Sequence, residues 1–205
     1  MRTYPIMLDL RGRATVVVGG GAVGLRRATS LHRAGARVTL VTKDAARKAP
    51  PADVRVLRGA YCPEQIAGAF LVLACTDDNA LNASIARDAR DIGALVNVAD
   101  QPEDCDFFLP AVLSDGDVVV AIGTGGASPG LAADLKRQIA AVVPQRVGRF
   151  AAALAEIRKE LKSLVPDTAS RAKIMKLLSS ETAYEEFLAA GPPALKATLQ
   201  ELLKE

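Results

Sequence analysis

Three glycines, Gly19, Gly21 and Gly24, have the spacing of a dinucleotide-binding turn, a spacing that points to a ligand only in the right context. In a G-x-G-x-x-G turn between a strand and a helix, the first glycine permits the tight turn. The second lets the backbone approach a pyrophosphate, and the third lets the helix pack on the strand. The free N–H groups of the first helical turn, here at Ala22, Val23 and Gly24, then face the phosphates, and the helix dipole favours their charge. The plain alternative is a turn that serves only strand–helix packing. The context favours a dinucleotide, because the motif follows a strand, opens a helix and lies inside a strand–helix–strand unit. The end of the second strand usually carries an acid for the ribose hydroxyls of NAD, but here it reads Thr42-Lys43-Asp44. Thr42 can hydrogen-bond a ribose and Lys43 can tolerate a 2′-phosphate, so residue chemistry leaves NAD and NADP both open.

Other motifs point to chemistry that their surroundings contradict. Gly126-Ala127-Ser128-Pro129-Gly130 spells a nucleophile elbow. Pro129 has no N–H for an oxyanion hole, however, and no histidine follows Ser128. Ser128 therefore reads as an N-cap with Pro129 at the first helical position. The single histidine, His32, sits on the first helix with no partner in motif, and reads as a solvated helix residue. Tyr61 and Tyr184 are followed four residues later by Gln65 and Leu188, so no Tyr-x-x-x-Lys pair exists. Cys62, Cys75 and Cys105 form no C-x-x-C pair, which argues against a disulfide framework and against a metal site.

The elements that must position these residues alternate. Residues 14–19 read as a buried strand and residues 22–34 as a helix stopped by Gly35. Strands follow at 37–41, 54–57, 69–74 and 95–98, with helical stretches at 63–67 and from Asp77 or Asp78 to about 91. This predicts an α/β, Rossmann-type doubly wound parallel sheet. Scarce aromatics and half the residues hydrophobic suit a sheet covered on both faces. After Pro110 the pattern changes to a hairpin, 111–113 and 118–122, about the turn Ser114-Asp115-Gly116-Asp117. A helix from Pro129 to about Val143 follows. Amphipathic helices then run from Arg146, broken near Pro166 and at Gly191-Pro192-Pro193. The predicted division is 1–111, 112–147 and 148–205, the last a helical domain.

A net charge of +3 is too small and too spread to imply a nucleic-acid surface. No apolar run has signal-peptide or membrane-spanning length, which, with unpaired thiols, predicts a cytoplasmic protein that does not contact a membrane.

Three stretches together resemble the precorrin-2 dehydrogenases, including the N-terminal module of siroheme synthase. They are Tyr4–Arg13 leading into Val16–Val23, Ala74–Asn82 continuing to Val96–Asp100, and Cys105–Ala111 followed by Thr124–Pro129. The resemblance covers roughly residues 4–145. It implies NAD-dependent oxidation of precorrin-2 to sirohydrochlorin on the route to sirohaem. It implies cofactor contacts at Thr76, Asp77 and Asn97 beside the glycine turn. It also implies a homodimer, with 112–147 as the dimerisation module and the helical domain helping to cover the cleft. Some members insert iron or cobalt into the product, so a bifunctional dehydrogenase and ferrochelatase is a rival reading, with the metal as substrate. A non-catalytic NAD(H)-sensing module is a rival of another class. Asp100 matches the family's functional aspartate. Thr124 stands where some relatives have serine, which leaves its role open, and the family commonly has alanine where Gly24 stands, a change the resemblance implies would not hurt dinucleotide binding.

Read as chemistry, Asp100 lies just past a strand's C-terminal end, the rim where such sheets bind ligands. It can accept the departing proton, fix a pyrrolic N–H, or simply cap the turn before Gln101-Pro102. The loop Thr124-Gly125-Gly126-Ala127-Ser128 offers N–H groups at a helix N-terminus to substrate carboxylates, or is only a loop with a cap. Arg26 and Arg27 can contact phosphates or substrate, or simply be solvated.

Overall fold

The computed structural model describes residues 3–44 and 49–204. The chain divides into two compact units, Met1–Leu109 and Pro110–Glu205.

In the first unit, five strands form a fully parallel sheet: β1 (Ala14–Val18), β2 (Arg37–Thr42), β3 (Arg55–Arg58), β4 (Leu71–Ala74) and β5 (Leu95–Val98). Their order is β3-β2-β1-β4-β5, so the chain moves outward from β1 to one side and then crosses to the other. The crossing occurs at β1/β4, the topological switch point at which such sheets hold ligands. Each face has its own core. Helix α1 (Ala22–Arg33) sets Ala28 and Leu31 against Val17, Val38, Leu40, Leu71 and Leu73. Helix α2 (Asn79–Asp91) sets Ile85, Ala86 and Ala89 against Val16, Val18, Val72, Val96 and Val98. The continuous apolar runs of β1 and β4 follow from this double cover, because neighbouring residues bury on opposite faces.

Two predictions are refined. The helical stretch at 63–67 is a single 3₁₀ turn, Pro63–Ile66, whose four residues are too few to propagate an α-helix. Asp78, not Asp77, caps α2: its carboxylate accepts from the Leu81 N–H at 3.0 Å.

The second unit begins with the antiparallel hairpin of β6 (Ala111–Asp115) and β7 (Val118–Ile122), closed by the two-residue loop Gly116-Asp117. Gly116 has φ +54°, and a Cβ there would stand 3.4 Å from the Gly148 backbone. Five helices follow: α3 (Pro129–Val142), α4 (Val147–Leu164), α5 (Thr168–Leu178), α6 (Glu181–Ala190) and α7 (Pro192–Leu202). The last four pack Phe150, Ile157, Leu161, Leu178, Phe187, Leu195 and Leu199 into one core. Ser128, Asp167 and Ser180 cap α3, α5 and α6 through their side chains, and Gly191 with Pro192-Pro193 forces the break between α6 and α7.

A Cβ on Gly24 would lie 1.8 Å from the Gly19 carbonyl oxygen, a backbone atom that cannot swing aside. In this backbone an alanine, which the resemblance implies would not hurt dinucleotide binding, has no room without a local shift. Gly24→Ala is therefore expected to cost about 1–3 kcal/mol of overpacking strain, read as a loss of several degrees in Tm by calorimetry. An unchanged Tm would show that the turn absorbs a methyl group.

Candidate functional site

The C-terminal ends of β1, β4 and β5 meet at the switch point. Register pairs Val18 with Ala74 and Ala74 with Val98, so Gly19, Cys75 and Ala99 come next to one another on the same edge. Hydrogen bonds extend the sheet one step: Cys75 N–H donates to Val18 O at 2.7 Å and Ala99 N–H to Ala74 O at 2.9 Å. Gly19 takes φ +117°, and a Cβ there would stand 2.3 Å from the Cys75 carbonyl oxygen. Only glycine turns the chain here without colliding with β4.

The next residues open α1. Gly21 is its N-cap and supplies no side-chain cap, so the first-turn N–H groups have no side-chain acceptor. Gly21 also has open space where a side chain would be, and Ala22 and Val23 are exposed. An uncapped helix end beside an open glycine is what a pyrophosphate needs.

Gly20, which the motif treats as arbitrary, is constrained as tightly as its neighbours. A Cβ there would lie 2.2 Å from the Thr42 hydroxyl oxygen. Thr42 is buried beneath the turn, and its hydroxyl donates to the Asp44 carbonyl at 3.0 Å. The structure therefore gives Thr42 a supporting place under the glycines, while Lys43 and Asp44 are the exposed groups at the end of β2. A clue was the third consecutive glycine, which G-x-G-x-x-G does not require.

On the β4 side, Thr76 is held by Asn82, a buried residue that sequence reasoning assigned no role. The Asn82 amide donates to Thr76 O at 3.0 Å, while its carbonyl oxygen accepts from the Thr76 hydroxyl at 2.7 Å and the Thr76 N–H at 3.2 Å. Asp77, between Thr76 and the cap Asp78, is exposed. On β5, the Asn97 amide donates to Phe107 O at 2.9 Å and to the Cys105 sulfur at 3.3 Å. Thr76 and Asn97 thus use side-chain hydrogen bonds to shape the rim.

Asp100 follows β5 directly. It is exposed and has φ +61°, one of two non-glycine residues among those described with positive φ. Arg26 and Arg27 on α1, together with Asp100, lie close enough to Cys75 to act on its thiol. Burial pushes that thiol up from its ordinary 9.0 to about 11, Asp100 adds to the rise, and the two arginines oppose it. Burial, with Arg26 alongside, depresses the Arg27 guanidinium. Arg27 is therefore partly desolvated at an edge suited to an anion. His32 lies in the last turn of α1, at the opposite end from the glycine turn.

In the second unit, Thr124 and Ser128 close their loop on each other. The Thr124 hydroxyl accepts from Ser128 N–H at 3.2 Å and donates to Ser128 O at 3.1 Å. The Ser128 hydroxyl accepts from Leu131 N–H at 3.1 Å, which is the cap expected of it. Gly125 and Gly126 have φ +61° and +85° and are exposed.

These features define a dinucleotide-binding α/β protein. A family model for putative NAD(P)-binding proteins matches residues 6–111, and the chain belongs to that family. It is also similar to siroheme synthases: 33% identical over 207 residues to that of Methylobacillus flagellatus, covering 99% of this chain and 44% of the relative. To the siroheme synthase of Methylococcus capsulatus it is 37% identical over 175 residues, covering 83% of this chain and 37% of the relative. The chain thus spans less than half the length of these relatives. A solved structure described as "SirC, precorrin-2 dehydrogenase" superposes with a TM-score of 0.78 at 25% identity, over 99% of this chain and 100% of the other.

The Cys75 shift sets a pH dependence. A thiol whose folded pKa lies above its unfolded value stabilises the protein fully below pH 9.0, and that contribution is lost as pH rises toward about 11. Urea midpoints measured across that window should fall more steeply for the parent protein than for Cys75→Ala. Parallel slopes would show that the thiol is not held protonated by the fold.

Proposed function

We propose that this chain catalyses the NAD-dependent oxidation of precorrin-2 to sirohydrochlorin. The observation that carries the reading is the acidic side chain of Asp100, held on the rim shared with an uncapped, glycine-walled helix end. The relatives supply the substrate: siroheme synthases in sequence and a precorrin-2 dehydrogenase in structure.

The residues at the rim fit a pyridine dinucleotide. The N–H groups of Ala22, Val23 and Gly24 and the open face of Gly21 would hold the pyrophosphate, with Gly19 making the approach possible. The exposed end of β2 at Lys43 borders the ribose position, with Thr42 supporting the turn from below. Thr76, Asp77 and Asn97 would line the nicotinamide side. When bound, the cofactor accepts a hydride.

The macrocycle loses a hydride and a proton as its new double bond forms. Asp100 accepts that proton as a general base, its exposed carboxylate standing at the rim after β5. Arg26 and Arg27 favour the substrate's carboxylates at the same edge. The N–H groups of Thr124, Gly125, Gly126 and Ser128 are assigned to further substrate carboxylates. Holding the ring edge against the cofactor is the protein's largest contribution, since orientation supplies on the order of 7–11 kcal/mol at best.

Residues 112–147 act as a dimerisation module, and residues 148–205 as a helical domain. Supporting the first assignment, the hairpin is only two strands and exposes Val112 and Val119, while α3 exposes Leu131 and Val142. A two-stranded hairpin is marginal alone and gains stability by pairing with a second copy. No helix among the described residues is long and apolar enough to cross a membrane, and all three cysteines are free thiols, which supports the cytoplasm as its compartment.

The decisive experiment is anaerobic turnover of precorrin-2, followed by absorbance with NAD and with NADP. NAD-dependent formation of sirohydrochlorin is expected, and Asp100→Asn should lower kcat by about 10²–10⁴-fold with NAD affinity unchanged. Full turnover by that variant would remove Asp100 from the chemistry. Metal insertion into sirohydrochlorin without NAD would reveal the second, chelating activity. Light scattering should give twice the chain mass at micromolar concentration, and a monomer would refute the dimerisation module.

A further inference from the structure

An aspartate at positive φ costs about 1–2 kcal/mol relative to ordinary backbone, unless its surroundings impose the conformation. Asp100 has φ +61°. The segment that imposes it runs from Ala99 to Cys105, and its two ends meet at one atom, the Cys105 sulfur. Val98 N–H donates to that sulfur at 3.2 Å and the Asn97 amide at 3.3 Å. The thiol proton in turn faces two carbonyls, Val98 O at 3.2 Å and Gln101 O at 3.3 Å. The first closes the loop onto β5, and the second reaches the residue immediately after Asp100. Burial raises the Cys105 thiol above its ordinary value, so it keeps the proton it donates.

Backbone bonds complete the brace. Cys105 N–H donates to Pro102 O at 3.3 Å, Asp104 N–H to Gln101 O at 3.2 Å, and Asp106 N–H to Val96 O at 2.8 Å. Beyond the sulfur, the Asp106 carboxylate accepts from Val96 N–H at 2.9 Å and pairs with Arg90 at 3.1 Å, anchoring the far side of the loop to β5 and α2.

We propose that Cys105 is a positioning residue for the dehydrogenation, a thiol clip that clamps Gln101 to β5 and thereby holds the Asp100 carboxylate in its left-handed pose at the rim. The inference rests on the proposed dehydrogenase reading. Sulfur suits the position because its large radius spans two donors and two acceptors at 3.2–3.3 Å at once. A serine oxygen, on a shorter bond to Cβ, reaches fewer of them, and an alanine reaches none. The thiol touches neither nucleotide nor reacting atoms; Asn97 keeps its shorter bond to Phe107 O without it, so the clip acts through Asp100.

The test is a double-mutant cycle in the anaerobic assay, with NAD affinity measured separately by fluorescence. Cys105→Ala should lower kcat by about 10–100-fold, the loss expected when a reacting group is displaced by about an ångström, while NAD affinity stays at the parental value. Cys105→Ser should fall between the two. In the Asp100→Asn background, adding Cys105→Ala should change the residual rate by less than about twofold. Parental kcat in Cys105→Ala overturns the inference. So does an undiminished Cys105 effect in the Asp100→Asn background, which would mean that the thiol supports the domain generally. If the alanine variant fails to fold, the same cycle is run with Cys105→Ser and judged by the same criterion. A parent protein without precorrin-2 turnover overturns the dehydrogenase reading and this inference together, whereas an active parent with an indifferent Cys105 removes only the inference.

Discussion

The structure turns on one close approach. The end of β1 must run beside the end of β4 and bend at once into α1, leaving no room for a side chain at three positions: Gly19 against the Cys75 carbonyl, Gly20 against Thr42, and Gly24 against the Gly19 carbonyl. Everything at the rim follows from that geometry. Because α1 starts so close to the sheet, its first-turn N–H groups point over the switch point with no side chain to cap them. Because β4 lies against the turn, the neighbouring strand β5 delivers Asp100 to the same edge. A protein that needed only strand–helix packing would not need Gly21, whose surroundings are open.

The rim is built from side chains whose polar groups are turned inward to shape it. Asn82 clamps Thr76 from the first turn of α2. Asn97 and Cys105 tie the loop after β5 back to the sheet, and Thr42 braces the glycines from below. Polar groups turned away from water are costly unless satisfied, and these are satisfied by one another or by backbone. The result is a stiff edge on which the mobile chemistry is left to the backbone N–H groups of α1 and to one carboxylate. Preorganisation of this sort is how a small domain holds a bound dinucleotide in one orientation.

Much of this was legible in the sequence because it is written in local chemistry. Glycine spacing, apolar runs, Ser128 before Pro129 and Asp-Gly at the hairpin each act within a few residues, and each appears where its local pattern places it. Asp100 was legible as a residue at the end of a strand, and the role proposed for it came from the three family-like stretches. The tail from Arg146 showed helices but no motif, since packing positions such as Leu161, Leu178 and Leu195 identify a core and nothing more.

What the sequence determined alone was therefore the alternation of elements, the parallel sheet and the glycine turn, because backbone sterics and hydrophobic periodicity depend on neighbours along the chain. Tertiary structure alone decided that Thr42 lies under the turn, that Asn82 holds Thr76, and that Cys105 gathers four hydrogen-bonding groups around the loop of Asp100. Those pairings join residues on different elements or opposite ends of a loop. Nothing in their spacing predicts which partner each polar group will find once the strands are side by side.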